Sequence, residues 1–333
     1  MNKQKEPLGG TDRLERFGGI SASDQLLSVC GGVAALLLLA LAAQLLILSL
    51  SGILFPSAAE WSWYSAVIST VSMYLIAAPL SYFVFRLGRS YAPARNRSLS
   101  FSALLGLLVL SFAIATVGNL FGSLVQHALS ALTGNSAVNP VEVQTLGTPL
   151  WTNLIFFGIL APVVEEIVYR KLVIDRLRPL GDGAAVVLSG LLFGLVHGNF
   201  HQLFYATLFG FLAGFVYVAT GKLRYTILLH MAVNLVGGVF SAELFKKLGG
   251  TAGVADLAAR FVDAPVAARL YQGYSLLMIL CVLLAPLVLF LLRKHAEFER
   301  DPGAPSPACV LRILSHSPAF WLLSAVLLLL FLL

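Results

Sequence analysis

Long apolar runs separated by short polar segments repeat along the whole chain. A membrane-spanning helix needs about 20 consecutive apolar residues, and most of these runs reach or approach that length. They occupy residues 25–54, 61–85, 99–125, 151–164 with a continuation to 178, 184–196, 200–219, 225–240, 271–292 and 318–333. The pattern predicts an all-α, polytopic transmembrane bundle of about 8–9 spans. The short last run fits either a thin bilayer or the membrane interface.

The same pattern divides the chain into four regions. Residues 1–24 form a polar N-terminal segment, and residues 25–147 hold the first three predicted transmembrane helices with their loops. Residues 148–240 form the third region and carry the polar clusters described below. Residues 241–333 hold the C-terminal helices, preceded at 241–269 by a half-polar stretch that we expect at the membrane surface.

Composition excludes a soluble domain. Of the 333 residues, 58% are hydrophobic and only 11% are charged. Cys30, Cys281 and Cys309 show no CxxC spacing, which argues against a disulfide framework or a cysteine zinc site. The formal net charge of +6 does not indicate nucleic acid, because lysine and arginine lie in alternate loops rather than on one basic face.

The distribution of lysine and arginine predicts the orientation in the membrane. Four lie in the N-terminal segment, four in each of the loops after the second, fourth and eighth runs, and two after the sixth, which makes 18 of the 22. Positive charge accumulates on the cytoplasmic side of membrane proteins. We therefore expect a multi-pass protein of the plasma membrane, in contact with the lipid bilayer, with a cytoplasmic N-terminus.

Two adjacent carboxylates, Glu165 and Glu166, directly follow the uncharged stretch 151–164. Acidic groups at membrane depth are costly, so such a pair suggests a function when partners can be named. Arg170 lies four residues after Glu166, on the same helical face and in the favourable acid-before-base order. Glu165 is rotated by about 100° and has no cation at the helical spacings. We expect Glu166 to be paired and Glu165 to be available for chemistry.

Two further polar clusters interrupt apolar runs downstream. Phe193 precedes His197 by four residues, and His230 precedes Asn234 by four residues, so that each pair shares a helical face. Counted from the turn at 179–183, Glu165 and His197 lie at the same depth, about 20 Å from the turn. His230 lies only six residues after Arg224 and matches this level less well, so helix tilt must make up the difference.

These side chains supply the parts for hydrolysis of a peptide bond. A carboxylate and one histidine can deprotonate and orient water, and a second histidine with an asparagine can donate hydrogen bonds to an oxyanion. Histidine and asparagine in membranes also serve as links between helices. A zinc site formed by Glu165, His197 and His230 is the alternative, with His201 as a further ligand. HExxH is absent, however, and Gly198-Asn199 is expected to break the helix before His201.

In this order, the motifs EExxxR, FxxxH and HxxxN resemble those of the CPBP family, which comprises CAAX proteases and bacteriocin-processing enzymes and is also called Abi. The resemblance covers about residues 148–238 and extends to the Ras-converting CAAX prenyl endopeptidase of eukaryotes. It implies an intramembrane endopeptidase of about eight helices with a water-filled cavity open to the cytosol.

The resemblance also implies roles for individual residues. Glu165 would be the catalytic carboxylate, with His197 as its partner in activating water. His230 and Asn234 would form the oxyanion site. Structural support would come from Glu166, Arg170 and Phe193. A glutamate mechanism without a cofactor suits these residues better than the metalloprotease label once given to the family, and zinc is kept as the alternative cofactor.

Other functions remain open at this point. A membrane scaffold or a bacteriocin-immunity protein would keep the same fold without catalysis, and intramembrane carboxylates also occur in proton-coupled transporters. The expected partner is a membrane-associated peptide or protein, prenylated or not. Pairs of glycines four residues apart allow helices to approach closely, either inside a tight bundle, which is the better interpretation, or between protomers. These pairs are Gly118 with Gly122, Gly190 with Gly194, and Gly210 with Gly214.

Overall fold

The computed structural model describes residues 22–93, 95–134, 139–249, 264–293 and 304–331, and every regular element in these ranges is helical. The principal helices are α1 (Ala22–Leu54), α2 (Tyr64–Phe85), α3 (Phe101–Thr133), α4 (Pro140–Gly147), α5 (Leu150–Leu180), α6 (Asp182–Leu195), α7 (Phe200–Thr220), α8 (Leu223–Lys247), α9 (Pro265–Leu292), α10 (Pro307–Ser315) and α11 (Pro318–Leu330).

Seven of the described helices are long and apolar enough to cross a membrane, and the number rises to eight if α10 and α11 form one bent span. The prediction of a polytopic helical bundle is confirmed, and the protein is an integral membrane protein. The predicted fifth run is the 14-residue α6. At 1.5 Å per residue it extends only about 21 Å, less than the roughly 30 Å of a bilayer core. Helix α11 meets α10 at an angle of 77°, where a loop was expected before the last run.

Two predicted boundaries are wrong, and both errors have the same cause. Helix α3 continues past residue 125 to Thr133 and ends at Gly134, whose φ of +74° suits glycine. Helix α8 continues past residue 240 to Lys247. Polar residues at these ends leave the apolar pattern without interrupting the backbone hydrogen bonds of the helix. Residues 1–21 and 250–263 of the predicted surface segments lie outside the described residues.

The glycine pairs are used for packing inside the chain. A Cβ atom added to Gly210 would lie 2.7 Å from the Cα atom of Gly190, so α6 and α7 touch through their backbones. A Cβ atom on Gly118 would lie 2.5 Å from the Cα atom of Tyr205, which brings α3 equally close to α7. Real Cβ atoms do not approach other atoms this closely, so glycine is required at these contacts. These contacts support the intramolecular interpretation.

Three loops meet at one end of the bundle. Arg178, near the end of α5, donates from Nη1 to the carbonyl oxygens of Tyr91 and Ala92 at 3.0 and 2.7 Å. The backbone N–H of Arg97 donates to the carbonyl oxygen of Thr220 at 3.0 Å. The loops after α2, α5 and α7 therefore lie on one side, as their basic residues predict. That this side is cytoplasmic stays a prediction.

Two arginines counted with these loops are buried in α5. Arg170 is fully buried, and Arg176 donates to the carbonyl oxygens of Phe85 and Leu172 at 2.5 and 3.0 Å. The basic asymmetry is therefore somewhat smaller than the sequence count, while its sign is unchanged.

Candidate active site

Helices α2, α5 and α8 change from α- to π-helical geometry around the site. The π-helical segments are Val71–Ala77 in α2, Asn153–Leu160 and Ile167–Ile174 in α5, and Val233–Phe240 in α8. A π turn accommodates one more residue than an α turn, and such turns are frequent at functional sites. Here they flank or contain the polar residues of the first and third motifs, and the segment in α2 contains Tyr74.

Glu166 and Arg170 form a closed ion pair. Arg170 donates from Nε to Glu166 Oε2 at 2.9 Å and from Nη2 to Oε1 at 3.2 Å, and both side chains have 0% exposure. Arg170 Nη1 also donates to Ser189 Oγ at 3.0 Å, and this hydroxyl donates to the carbonyl oxygen of Tyr169 at 2.8 Å. The predicted pair is present, and it joins α5 to α6.

His230 lies between the two carboxylates. Its Nδ1 is 3.1 Å from Glu166 Oε1, whereas its Nε2 is 3.7 Å from Glu165 Oε2, too far for a hydrogen bond. His230 therefore reaches both carboxylates, although counting residues from the nearest loop placed it at a different level.

Glu165 faces a cavity of about 130 Å³. Tyr74 of α2 donates from its hydroxyl to Glu165 Oε1 at 2.5 Å. Tyr74, Glu165, Tyr169 and His197 line the cavity, and the remaining lining side chains are apolar. Over the residues that the structure describes, the carboxylate, the imidazole and the two tyrosines are thus the only polar side chains in the cavity wall, and a water molecule in the cavity would find its side-chain hydrogen-bond partners among them.

The chain reverses direction immediately after His197. Gly198 has a φ of +63°, and the side chain of Asn199 caps α7 by accepting a hydrogen bond from Gln202 N at 3.0 Å. The predicted helix break is confirmed. His201 therefore turns away from His197, and its Nδ1 lies 3.2 Å from Ser123 Oγ on α3.

Phe193 connects the motifs through its ring. Its centroid lies 5.2 Å from that of His197 and 5.5 Å from that of His230, both rings edge-on, and 5.3 Å from Arg170 Cζ. Phe193 thus contacts residues of all three motifs, and its role in supporting the site stays a prediction. The ring contacts also restrict both imidazoles to narrow ranges of orientation.

Asn234 is held by the backbone of α5. Its Nδ2 donates to the carbonyl oxygen of Phe157 at 2.9 Å. Pro162 has no N–H with which to continue the π-helical pattern to the carbonyl five residues earlier, so this acceptor needs another donor. Neither Asn234 nor His230 is among the side chains that line the cavity. The second N–H of the Asn234 amide is not used in the contact with the Phe157 carbonyl.

The alternative zinc ligands do not form a metal centre. Within the described ranges, no group of three or more His, Cys, Asp or Glu side chains can hold a metal ion. The Nδ1 atoms of His197 and His230 are directed to the Phe193 carbonyl oxygen at 2.7 Å and to Glu166. Histidines that bind zinc through Nε2 also direct Nδ1 to such acceptors, so the prediction of a metal-free site rests on the spacing of the carboxylate and imidazole groups and not on these contacts. Absence of a cofactor stays a prediction.

Sequence reasoning missed Tyr74 and Ser189. Both lie in apolar helices, outside the three motifs, and reach the site only through packing. Their only signal is a polar group inside an apolar run, which many structural residues share.

Comparisons with known proteins support the predicted resemblance. Neither curated proteins nor solved structures include a match to this chain. A family model described as "Rce1-like: Type II CAAX prenyl endopeptidase Rce1-like" matches residues 147–236. This segment, somewhat over a quarter of the chain, contains every residue predicted for the site. Residues 147–236 of this integral membrane protein are therefore similar to the type II CAAX prenyl endopeptidases, as the three motifs predict.

Proposed function

We propose that the protein is an intramembrane endopeptidase that hydrolyses a peptide bond of a membrane-associated or lipidated peptide or protein. One observation carries the proposal. Of two adjacent carboxylates, Glu166 is fully buried in an ion pair, whereas Glu165 faces a cavity that also contains His197. A purely structural pair of acids would not leave one of them open to a cavity.

His197 is suited to orient the attacking water. A carbonyl oxygen accepts hydrogen bonds only, so the contact of Nδ1 with the Phe193 carbonyl assigns the proton of neutral His197 to Nδ1. Its Nε2 then accepts a hydrogen bond from water, while Glu165 takes the other proton as general base. The water oxygen bonds to the carbonyl carbon, the C–N bond breaks, and Glu165 transfers its proton to the leaving amine.

His230 is suited to stabilise the oxyanion in one protonation state. The carboxylate of Glu166 is an acceptor, so the contact at 3.1 Å assigns a proton to His230 Nδ1. As an imidazolium, His230 also carries a proton on Nε2 and donates it in a hydrogen bond to the developing oxyanion. The second N–H of Asn234 is the other proposed donor. Because neither His230 nor Asn234 lines the cavity, both hydrogen bonds require the substrate carbonyl and these side chains to move towards each other.

The reaction proceeds without a metal ion in this proposal. The support is geometric, since in the described part of the chain no three His, Cys, Asp or Glu side chains are grouped as metal ligands, and the carboxylate of Glu165 accepts a hydrogen bond from Tyr74. A prenylated CAAX protein is the substrate suggested by the family description, and other hydrophobic peptides fit the apolar walls of the cavity equally well.

Peptide analysis tests the proposal directly. Proteoliposomes with the wild-type protein or the Glu165→Gln variant are incubated with a membrane-peptide library and a prenylated CAAX peptide in H2 18O. New C-termini should appear with the heavy oxygen only for the wild type, and turnover of the variant should fall by roughly 10²–10⁴-fold. Glu243→Gln, at a partly exposed carboxylate paired with Lys246, is the matched control. Identical peptide sets from wild type and Glu165→Gln would refute the proposal and favour a scaffold.

A further inference from the structure

The cavity has two walls of different origin. Helix α5 and the turn that follows α6, both within the matched residues 147–236, contribute Glu165 and His197. Helices α1 and α2 contribute the opposite wall, including Leu36, Met73 and Tyr74. The family match thus accounts for only one side of the site, and the polar group on the other side is the hydroxyl of Tyr74.

We propose that Tyr74 is a positioning residue for Glu165 and so completes the site from outside the matched segment. The inference rests on the proposed function. Tyr74 Oη donates to Glu165 Oε1 at 2.5 Å across 91 residues of sequence. Hydrogen bonds from a hydroxyl to a carboxylate are short and about twice as strong as neutral ones. Among the described residues, Tyr74 is the only side chain that hydrogen-bonds to Glu165.

The other neighbours of Glu165 cannot fix its orientation in the same way. His230 Nε2 is 3.7 Å from Oε2, too far for a hydrogen bond, and Arg170 is occupied by Glu166. A glutamate side chain has three rotatable torsions, so a carboxylate without a fixed contact samples several positions. The hydrogen bond to Oε1 holds one oxygen against α2 and leaves Oε2 free to accept a proton from water. Misplacing a catalytic group by about 1 Å can cost about 10²-fold in rate.

The backbone of α2 supports this role. Tyr74 belongs to the π-helical segment Val71–Ala77, where the extra residue of the wide turn changes which side chains face α5. Met73, Tyr74 and Ala78 all line the cavity. Further along α2, towards its C-terminal end, Ser81 and Phe85 are fully buried, which fixes the rotation of the helix about its axis.

The test compares two deletions of one hydroxyl group. Tyr74→Phe removes the hydrogen bond to Glu165. Tyr64 lies at the start of the same helix, α2, and Tyr64→Phe removes its hydrogen bond of 2.5 Å to Ser51 of α1. We expect Tyr74→Phe to lower kcat by roughly 10- to 100-fold, in line with the loss of a hydrogen bond to a charged group, with KM unchanged. Tyr64→Phe should retain kcat within about twofold, and both variants should unfold at the same detergent concentration.

A double-mutant cycle separates positioning from general damage. The shorter carboxylate of Glu165→Asp should not reach the Tyr74 hydroxyl, so adding Tyr74→Phe to this variant should lower kcat by less than about threefold. Wild-type kcat for Tyr74→Phe, an effect on KM alone, or an equal fold-loss in both backgrounds would overturn the inference. If the wild type itself cleaves nothing, the proposed function fails. If Glu165→Gln is inactive while Tyr74→Phe is fully active, only the positioning role fails.

Discussion

The buried pair of Glu166 and Arg170 allows a quantitative prediction about stability. Three variants are required: Glu166→Gln, Arg170→Met and the combination of both. Each single change leaves one charge at 0% exposure without its partner, since Arg170 would keep only Ser189 and Glu166 would keep only His230. Removing one member of a buried pair typically costs about 3–5 kcal/mol.

The double variant should be more stable than the sum of the two losses implies. It contains neither charge, so the cost of leaving a charge unpaired disappears, and only hydrogen bonds and packing are lost. We therefore expect the two effects to be non-additive by at least about 2 kcal/mol. Phe193, which packs on the guanidinium, should tolerate the apolar methionine side chain in its place.

Unfolding in mixed micelles with increasing denaturing detergent measures these free energies. The control is Glu243→Gln, which makes the same substitution in the partly exposed pair with Lys246 and should cost less than about 1 kcal/mol. A Glu166→Gln variant within about 1 kcal/mol of the wild type, or strict additivity in the double variant, would refute the assignment of Glu166 to structural support. The folded fraction of Glu166→Gln should also keep measurable cleavage activity.

Three further predictions concern orientation, cofactor and packing. A membrane-impermeant thiol reagent applied to intact cells should label Val143→Cys, an exposed position of α4, and miss Asn96→Cys in the basic loop; the reverse pattern would invert the topology. Cleavage should survive exhaustive chelation, whereas loss that only stoichiometric zinc restores would make Glu165, His197 and His230 metal ligands. In Gly210→Ala the added Cβ atom would lie 2.7 Å from Gly190, whereas in Gly237→Ala it meets no atom within 4 Å. Gly210→Ala should therefore destabilise the protein by about 1–3 kcal/mol more than Gly237→Ala. Equal unfolding curves would argue against close α6–α7 packing.

Local rules of the helix explain which features of the site were predictable. The Glu166–Arg170 pair follows from a spacing of four residues, and the reversal after His197 follows from Gly198-Asn199. The contact between Tyr74 and Glu165 joins separate helices through packing, which no spacing rule contains. The approach of His230 to both carboxylates likewise depends on how α8 packs against α5, because a depth counted along the sequence does not include the tilt of the helices.

For the fold, too, the sequence pattern predicted some features well and others poorly. The centres of the apolar runs became helices, whereas the ends of α3 and α8 extend into polar sequence that remains compatible with a helix. Helix α6 was counted as a span because its sequence is apolar, but an apolar composition does not show how far a helix extends through the membrane. One face of α6, which includes Ala185, Ser189 and Phe193, is buried against the bundle, whereas Val187 and Leu191 on the opposite face are exposed.

The π-helical segment Ile167–Ile174 also limits how the length of this chain can change in evolution. Deleting one residue from it would allow α5 to close into a regular α-helix and would rotate everything before it by about 100° relative to the rest. Adjacent residues on a helix, Glu165 and Glu166 included, are separated by the same angle of about 100°. A single-codon deletion several residues from the carboxylates would thus displace both of them from their partners, although it would remove neither one. We expect homologous sequences to accept substitutions in this segment far more readily than insertions or deletions.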